Sequence, residues 1–227
     1  MVYVKTYEQS ALPFQKKEAL RYFGYGMEKN PPSEEVEKLF DECAKKAMEV
    51  CAYRISYAEF PCRIEGNSVD HGFVKTESRA LALNLQVCEK VVAFAATVGV
   101  GIDRLIARYE SISAGRAYAF QSIGSERVES LCDAFNREIV ERYREEGLYT
   151  RPRFSCGYGD FPLSCQTAFF AALDCNRKIG LTLNDSLLMS PSKSVTAVIG
   201  VSPTPCRRDK NKCAACYKTD CAYRESR

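Results

Sequence analysis

The chain carries 227 residues, 32 basic against 29 acidic side chains for a formal net charge of +3, and 46% hydrophobic residues. That length suffices for one substantial core, and the interspersed, nearly balanced charges argue against nucleic acid as a partner. No run of eighteen apolar residues offers a membrane span, and Met1-Val-Tyr-Val-Lys5 lacks the regions of a signal peptide, so a cytosolic protein with no membrane partner is expected.

The first thirty residues combine a short apolar start with a charged stretch at Lys16-Lys-Glu18 and the aromatics Tyr22, Phe23 and Tyr25, flanked by Gly24 and Gly26. They predict a short helix followed by a turn. Asn30-Pro-Pro-Ser33 then supplies helix-start chemistry, with Glu34 and Glu35 favourably placed against the macrodipole. Val36, Leu39, Phe40, Cys43, Ala47 and Val50 follow at helical spacing and predict a helix with one stripe on the core. From Tyr53 to Val74 the period shifts toward two around a turn at Gly66-Asn67, as in an antiparallel strand pair or meander. His71, the only histidine, reads as a turn or strand-edge residue, and the lack of a second excludes a histidine-based metal centre.

Ser78 to Leu85 is helix-like, and Val91 to Val98 is an apolar run suited to a strand buried on both faces. Gly99-Val-Gly101 and a further helix follow it, but the rest of a dinucleotide-binding fingerprint is missing. Asp103, Arg104 and Arg108 on that helix read as a solvated face. Ala114 to Glu146 is the longest helical stretch, with a possible break near Gly124. Glu126, Arg127 and Glu129 interrupt its apolar pattern, and Asp133 reads as an exposed flank beside Cys132 and Phe135. Gly147 ends it. Thr167 to Lys178 predicts one more helix, ending at Gly180, and Leu181 to Leu188 and Val195 to Val201 predict two strands. In the connection between them, Ser190 and Lys193 have the spacing of a serine acyl-enzyme pair, but Pro191 stands inside it and companion motifs are missing, so a turn is the better reading.

Between the long helix and the last one lies Arg151-Pro-Arg-Phe-Ser-Cys-Gly-Tyr-Gly-Asp-Phe-Pro162. Its two arginines, two prolines, and glycines on both sides of Tyr158 specify a fixed backbone with cationic and aromatic groups projecting from it. On composition alone a rigid connector is favoured over a binding loop.

The twelve cysteines do not suit a disulfide framework in a reducing compartment. Cys43, Cys51, Cys88, Cys132 and Cys175 sit in apolar or helical patterns, as small buried hydrophobes do. Cys206, Cys213, Cys216 and Cys221 fall in a basic tail beginning at Ser202-Pro-Thr-Pro205, and their spacing around a Cys-x-x-Cys pair suits zinc or an iron–sulfur cluster, between which the sequence does not choose.

Several of these pieces together resemble the activation domain of cobalamin-dependent methionine synthase: Phe94-Ala-Ala-Thr-Val-Gly99, the helix around Ser125 to Phe135, the loop Arg151 to Pro162, and the hairpin Leu181 to Val195. The resemblance implies binding of S-adenosylmethionine over a cobalamin. It also implies reductive methylation of that cobalamin, with an electron from a flavodoxin- or ferredoxin-like donor. Matched residue by residue, the family's arginine followed by glycine-tyrosine falls on Arg153, Gly157 and Tyr158, and its Arg-Pro pairing falls instead on Arg151. Its helix acid falls on Asp133, one methylene shorter here. Cys156 stands where the family usually has proline, and a tyrosine expected after the last strand is absent.

The resulting expectation is an α+β fold: a single domain over residues 1–201 with a twisted, largely antiparallel sheet flanked by helices, then a cysteine-rich tail at 202–227. The expected function is that of a free-standing reactivation protein whose partner is the cobalamin-carrying core of methionine synthase or a related corrinoid protein. The expected ligand contacts are Asp133, Arg151 or Arg153, Gly157 and Tyr158, with the tail cysteines as metal ligands. A non-enzymatic metal-binding interaction module is the alternative.

Overall fold

The computed structural model describes residues 1–26 and 30–205, so Cys206, Cys213, Cys216 and Cys221 lie outside the described residues. The architecture is the expected α+β one. Strand β1 (Tyr3–Tyr7) is followed by helices α1 (Lys16–Tyr22) and α2 (Glu34–Val50), then strands β2 (Tyr53–Pro61), β3 (Arg63–Glu65), β4 (Ser68–Asp70) and β5 (Lys75–Glu77). Helix α3 (Arg79–Asn84), strand β6 (Lys90–Thr97), helices α4 (Gly101–Glu110) and α5 (Ala114–Glu145), and the short strand β7 (Tyr149–Thr150) come next. The chain continues through α6 (Gln166–Ala172), α7 (Cys175–Ile179), β8 (Thr182–Leu183), β9 (Met189–Ser190) and β10 (Ser194–Ser202).

Five strands form the main antiparallel sheet in the order β1-β2-β6-β10-β7, with β3-β4-β5 and β8-β9 as smaller sheets. Alternate residues of β6 and β10 serve two different cores. Val92, Phe94, Ala96, Ala197 and Ile199 pack with α1, α2, α4 and α5, whereas Val91, Ala93, Ala95 and Val198 pack with α3, α6 and α7. Both strands are therefore buried on both faces, which explains the uninterrupted apolar run of β6 although the sheet is antiparallel.

Three helices start on serine caps, with the hydroxyls of Ser33, Ser78 and Ser113 accepting from the backbone N–H of Val36, Leu81 and Arg116. The longest, α5, is continuous through Gly124. That residue is needed for space, since a Cβ there would lie 2.8 Å from Ile102 Cγ2 and 2.9 Å from Lys193 Cγ. Glu126 and Arg127 are core residues, at 1% and 0% exposure. Arg127 donates to Glu126, to Ser130 Oγ and to the carbonyls of Leu12 and Pro13, while Glu126 accepts from the backbone N–H of Gln15. This ion pair ties the N-terminal segment to α5.

Other local expectations change. Residues 3–7 form an edge strand. The helix expected at 167–178 is split into α6 and α7 at Asp174, whose φ is 48°. The stretch 181–188 is mostly the turn of the β8–β9 hairpin, with Leu187 at φ 60°, and does not pair with β10. Cys51 is half-buried at the C-cap of α2, and Asp103 accepts from the N–H and hydroxyl of Ser192. His71 is fully buried, its ring stacked on Phe73 with both nitrogens lacking a partner among the described residues.

Candidate ligand-binding site

Between Ala119 and Phe135, helix α5 is enclosed round most of its circumference, and only Gln121, Ser125, Glu129, Ser130 and Asp133 reach the surface. Gln121, Ser125, Glu129 and Asp133 recur at i, i+4, and so share one face of the helix. A polar stripe, with Ser130 beside it, is thus the opening in an otherwise core-bound segment.

The segment after β7 runs along the outer edge of β10 and closes one side of this stripe. Arg151 N–H donates to Gly200 O, and Phe154 exchanges two backbone bonds of 2.9 Å with Val198. Along this segment the side chains part. Phe154, partly buried, packs against the core that holds α3 and α6, whereas Arg153 reaches α5, donating from Nη1 to Asp133 Oδ1 and from Nη2 to Glu129 Oε2, each at 2.5 Å. Burial opposes the Arg153 charge, but Cys132, Asp133 and Glu129 outweigh it and raise its pKa above the usual arginine value. The fold therefore brings Arg153 and Asp133 together and adds Glu129, giving the trio a formal charge of −1.

Arg151 goes elsewhere. Only 6% exposed, it donates from Nη2 to Gln86 O and Ser202 Oγ on the side of α3, and Nη1 has no partner among the described residues. Its environment is that of a packing residue at the end of β10.

The rest of the loop is a tight, pinned turn. Gly157 N–H donates to Phe161 O, and Gly157 and Gly159 adopt φ of 84° and 58° that side-chain-bearing residues avoid. Phe161 is buried under α6, and Asp160 accepts from Ser78 Oγ and from the N–H groups of Arg79 and Ala80 at the start of α3. Those bonds, led by the one from Ser78, hold the Asp160 carboxyl below its usual range. Fixed at both ends, the turn projects Tyr158 to 72% exposure. Burial, with Cys165 nearby, pushes the Cys156 thiol up to about 12, so it is not a reactive thiolate at neutral pH.

At the other end of the stripe, Lys193 lies across Gly124 and donates from Nζ to Ser125 Oγ at 3.2 Å. Burial lowers its pKa, with Asp103 opposing the shift. Lys193 thus has a serine partner, but it is Ser125 on α5 and not Ser190. The signals for the residues that sequence reasoning missed, Ser125, Glu129 and Lys193, are the i+4 polar rhythm in a core helix and the close fit at Gly124.

Among the described residues no group of three or more histidine, cysteine or acidic side chains is placed to hold a metal, and no helix is long and apolar enough to cross a membrane.

No family model and no curated protein matches this sequence. The structure is similar to the MetH reactivation domain bound to AdoHcy, with a TM-score of 0.66 over 89% of this chain and 79% of that chain, at 16% identity. This likeness shows that the chain has the fold of a reactivation domain.

Proposed function

We propose that the chain binds S-adenosylmethionine on the stripe of α5 and presents it to cobalamin held by a methionine synthase or a related corrinoid methyltransferase. What carries this reading is the meeting of Arg153 with Asp133 and Glu129, in a fold similar to a reactivation domain that holds AdoHcy. S-adenosylmethionine would supply the methyl group, and an electron from a flavodoxin- or ferredoxin-like donor would return oxidised cobalamin to the state that accepts it.

The residues present suit such a ligand. Its ammonium and sulfonium call for carboxylates, and the Glu129–Arg153–Asp133 trio supplies two held in fixed positions by one guanidinium. Its adenosine calls for an apolar or aromatic surface and backbone hydrogen bonds. Tyr158 provides exposed ring area beside Phe154, at 6.3 Å between ring centres. The edge of β10 is a source of such bonds: because Val198 bonds outward to Phe154, register parity turns the N–H and C=O of Thr196, a residue 3% exposed, toward the same edge, and no backbone partner meets them there among the described residues.

Calorimetry on the purified chain with S-adenosylmethionine and S-adenosylhomocysteine tests the reading. Saturable binding of both is expected, and absence of heat with either, alone or with a cobalamin-loaded domain added, would overturn it.

A further inference from the structure

We infer that Lys193 and Ser125 hold the carboxylate of the ligand's amino-acid end, so that the polarity of the site runs along α5 from a cationic subsite at Ser125 to an anionic one at Asp133. The inference rests on the proposed ligand reading and sharpens it.

The reason lies in the charges already committed. A ligand with an α-amino acid end needs a cation for its carboxylate and an anion for its ammonium. Arg153 is the obvious cation, but each terminal nitrogen of its fork already donates to an acid, and its trio carries a formal excess of one negative charge. That end of the stripe attracts a cation and repels a carboxylate.

Lys193 is in the opposite situation. Its ammonium has a neutral hydroxyl as its hydrogen-bond partner, and no carboxylate among the described residues lies within ion-pair distance of it. Asp103 acts on it only through space and is itself engaged by Ser192. The lysine is also held in place, because its stem crosses the helix at Gly124, where a side chain would collide with Lys193 Cγ and Cε. Ser125 and Glu129 are one helical turn apart, about 6 Å on the helix surface. That spacing lets one amino-acid group meet a cation on one side and a carboxylate on the other. A preformed, partly desolvated ammonium without a counter-charge is a ready partner for one carboxylate.

The test compares S-adenosylhomocysteine with 5′-methylthioadenosine, which lacks the amino-acid end, on the wild-type chain and on Lys193→Met and Ser125→Ala. Lys193→Met should weaken S-adenosylhomocysteine about 10- to 100-fold and leave methylthioadenosine unchanged, as expected for loss of a charge-assisted bond. Ser125→Ala should weaken it by a smaller factor, about 2- to 10-fold. Thermal melting of each variant checks that the fold is intact, and Ser125→Ala, a change to a good helix former, serves if Lys193→Met does not fold. If wild type binds both ligands and the preference survives in the variants, the subsite assignment is wrong while the ligand reading stands. If wild type binds neither, both fall.

Discussion

Arg153 and Asp133, twenty positions apart in the chain, form an ion pair of 2.5 Å across the outer edge of β10. The contact exists because Phe154 locks the segment onto Val198, which leaves the preceding side chain facing α5. The two arginines of the loop are thereby separated by role. Arg153→Ala should weaken S-adenosylhomocysteine by about 1.5 to 3 kcal/mol, since two carboxylates lose the group that orients them, while melting changes little because the site is partly exposed. Arg151→Ala should do the reverse, lowering stability by about 1 to 3 kcal/mol through lost packing and hydrogen bonds and leaving ligand affinity unchanged. Calorimetry and urea denaturation on the two variants check this. A binding defect confined to Arg151→Ala would exchange the roles.

What could be read from the sequence followed local rules. Helix α2 announced itself through Ser33, two early glutamates and a single apolar stripe, and β6 through an unbroken apolar run. The α5 acid and the loop arginine were identifiable through resemblance, but their contact was not, because it depends on how β10 seats the loop. Glu129 looked like an interruption of a helix pattern, and Lys193 like half of a serine–lysine pair. Their real partners, Arg153 and Ser125, lie 24 and 68 residues away. The split at Asp174 was invisible for a related reason: tertiary packing imposes a left-handed backbone on a residue with no glycine signal. Residues 3–7 failed to read as a strand because an edge strand buries little of either face.

The buried pair Glu126 and Arg127 makes a strong demand on stability. Arg127→Met should cost about 3 to 5 kcal/mol, because the Glu126 carboxylate remains in the core with its cation gone. Adding Glu126→Leu to that variant should cost less than the sum of the two single changes, with a coupling of about 1 to 3 kcal/mol. Full recovery is not expected, since the backbone groups of Leu12, Pro13 and Gln15 would also have lost their partners. Urea unfolding of the double-mutant cycle measures the coupling, and a cost under about 1 kcal/mol for Arg127→Met would remove the clamp from the account.

His71 sets a pH dependence of known sign. Desolvation, only partly opposed by Asp70, lowers its pKa to about 4, whereas an unfolded histidine titrates near 6.5. Between these values the unfolded chain binds a proton that the folded one refuses, so stability must fall as pH drops through this window. From pH 7 to pH 5 the loss from this residue is about 2 kcal/mol at 1.36 kcal/mol per pKa unit. His71→Phe, placed among Phe73 and Phe161, should lose less stability over that interval than wild type by the same amount. Equal slopes in the two proteins would show that the ring takes up its proton as readily in the folded chain as in the unfolded one.

Gly124 links helix packing to ligand binding. Alanine is the better helix former by about 1 kcal/mol, but a Cβ here would meet Ile102 Cγ2 at 2.8 Å and the Lys193 stem at 2.9 Å. Ile102 is fixed in the core, whereas Lys193 keeps its place through the close fit at Gly124, so filling that space should move Lys193 and break its bond to Ser125. Gly124→Ala is therefore expected to lower stability by up to about 2 kcal/mol as overpacking outweighs propensity. It should also weaken S-adenosylhomocysteine while sparing methylthioadenosine. Gly115→Ala is the control, since nothing lies within 4 Å of the added Cβ in the same helix. It should leave both affinities unchanged and hold or raise stability by up to about 1 kcal/mol. Equal ligand affinities in wild type and Gly124→Ala would mean that the position of Lys193 is not what the ligand reads.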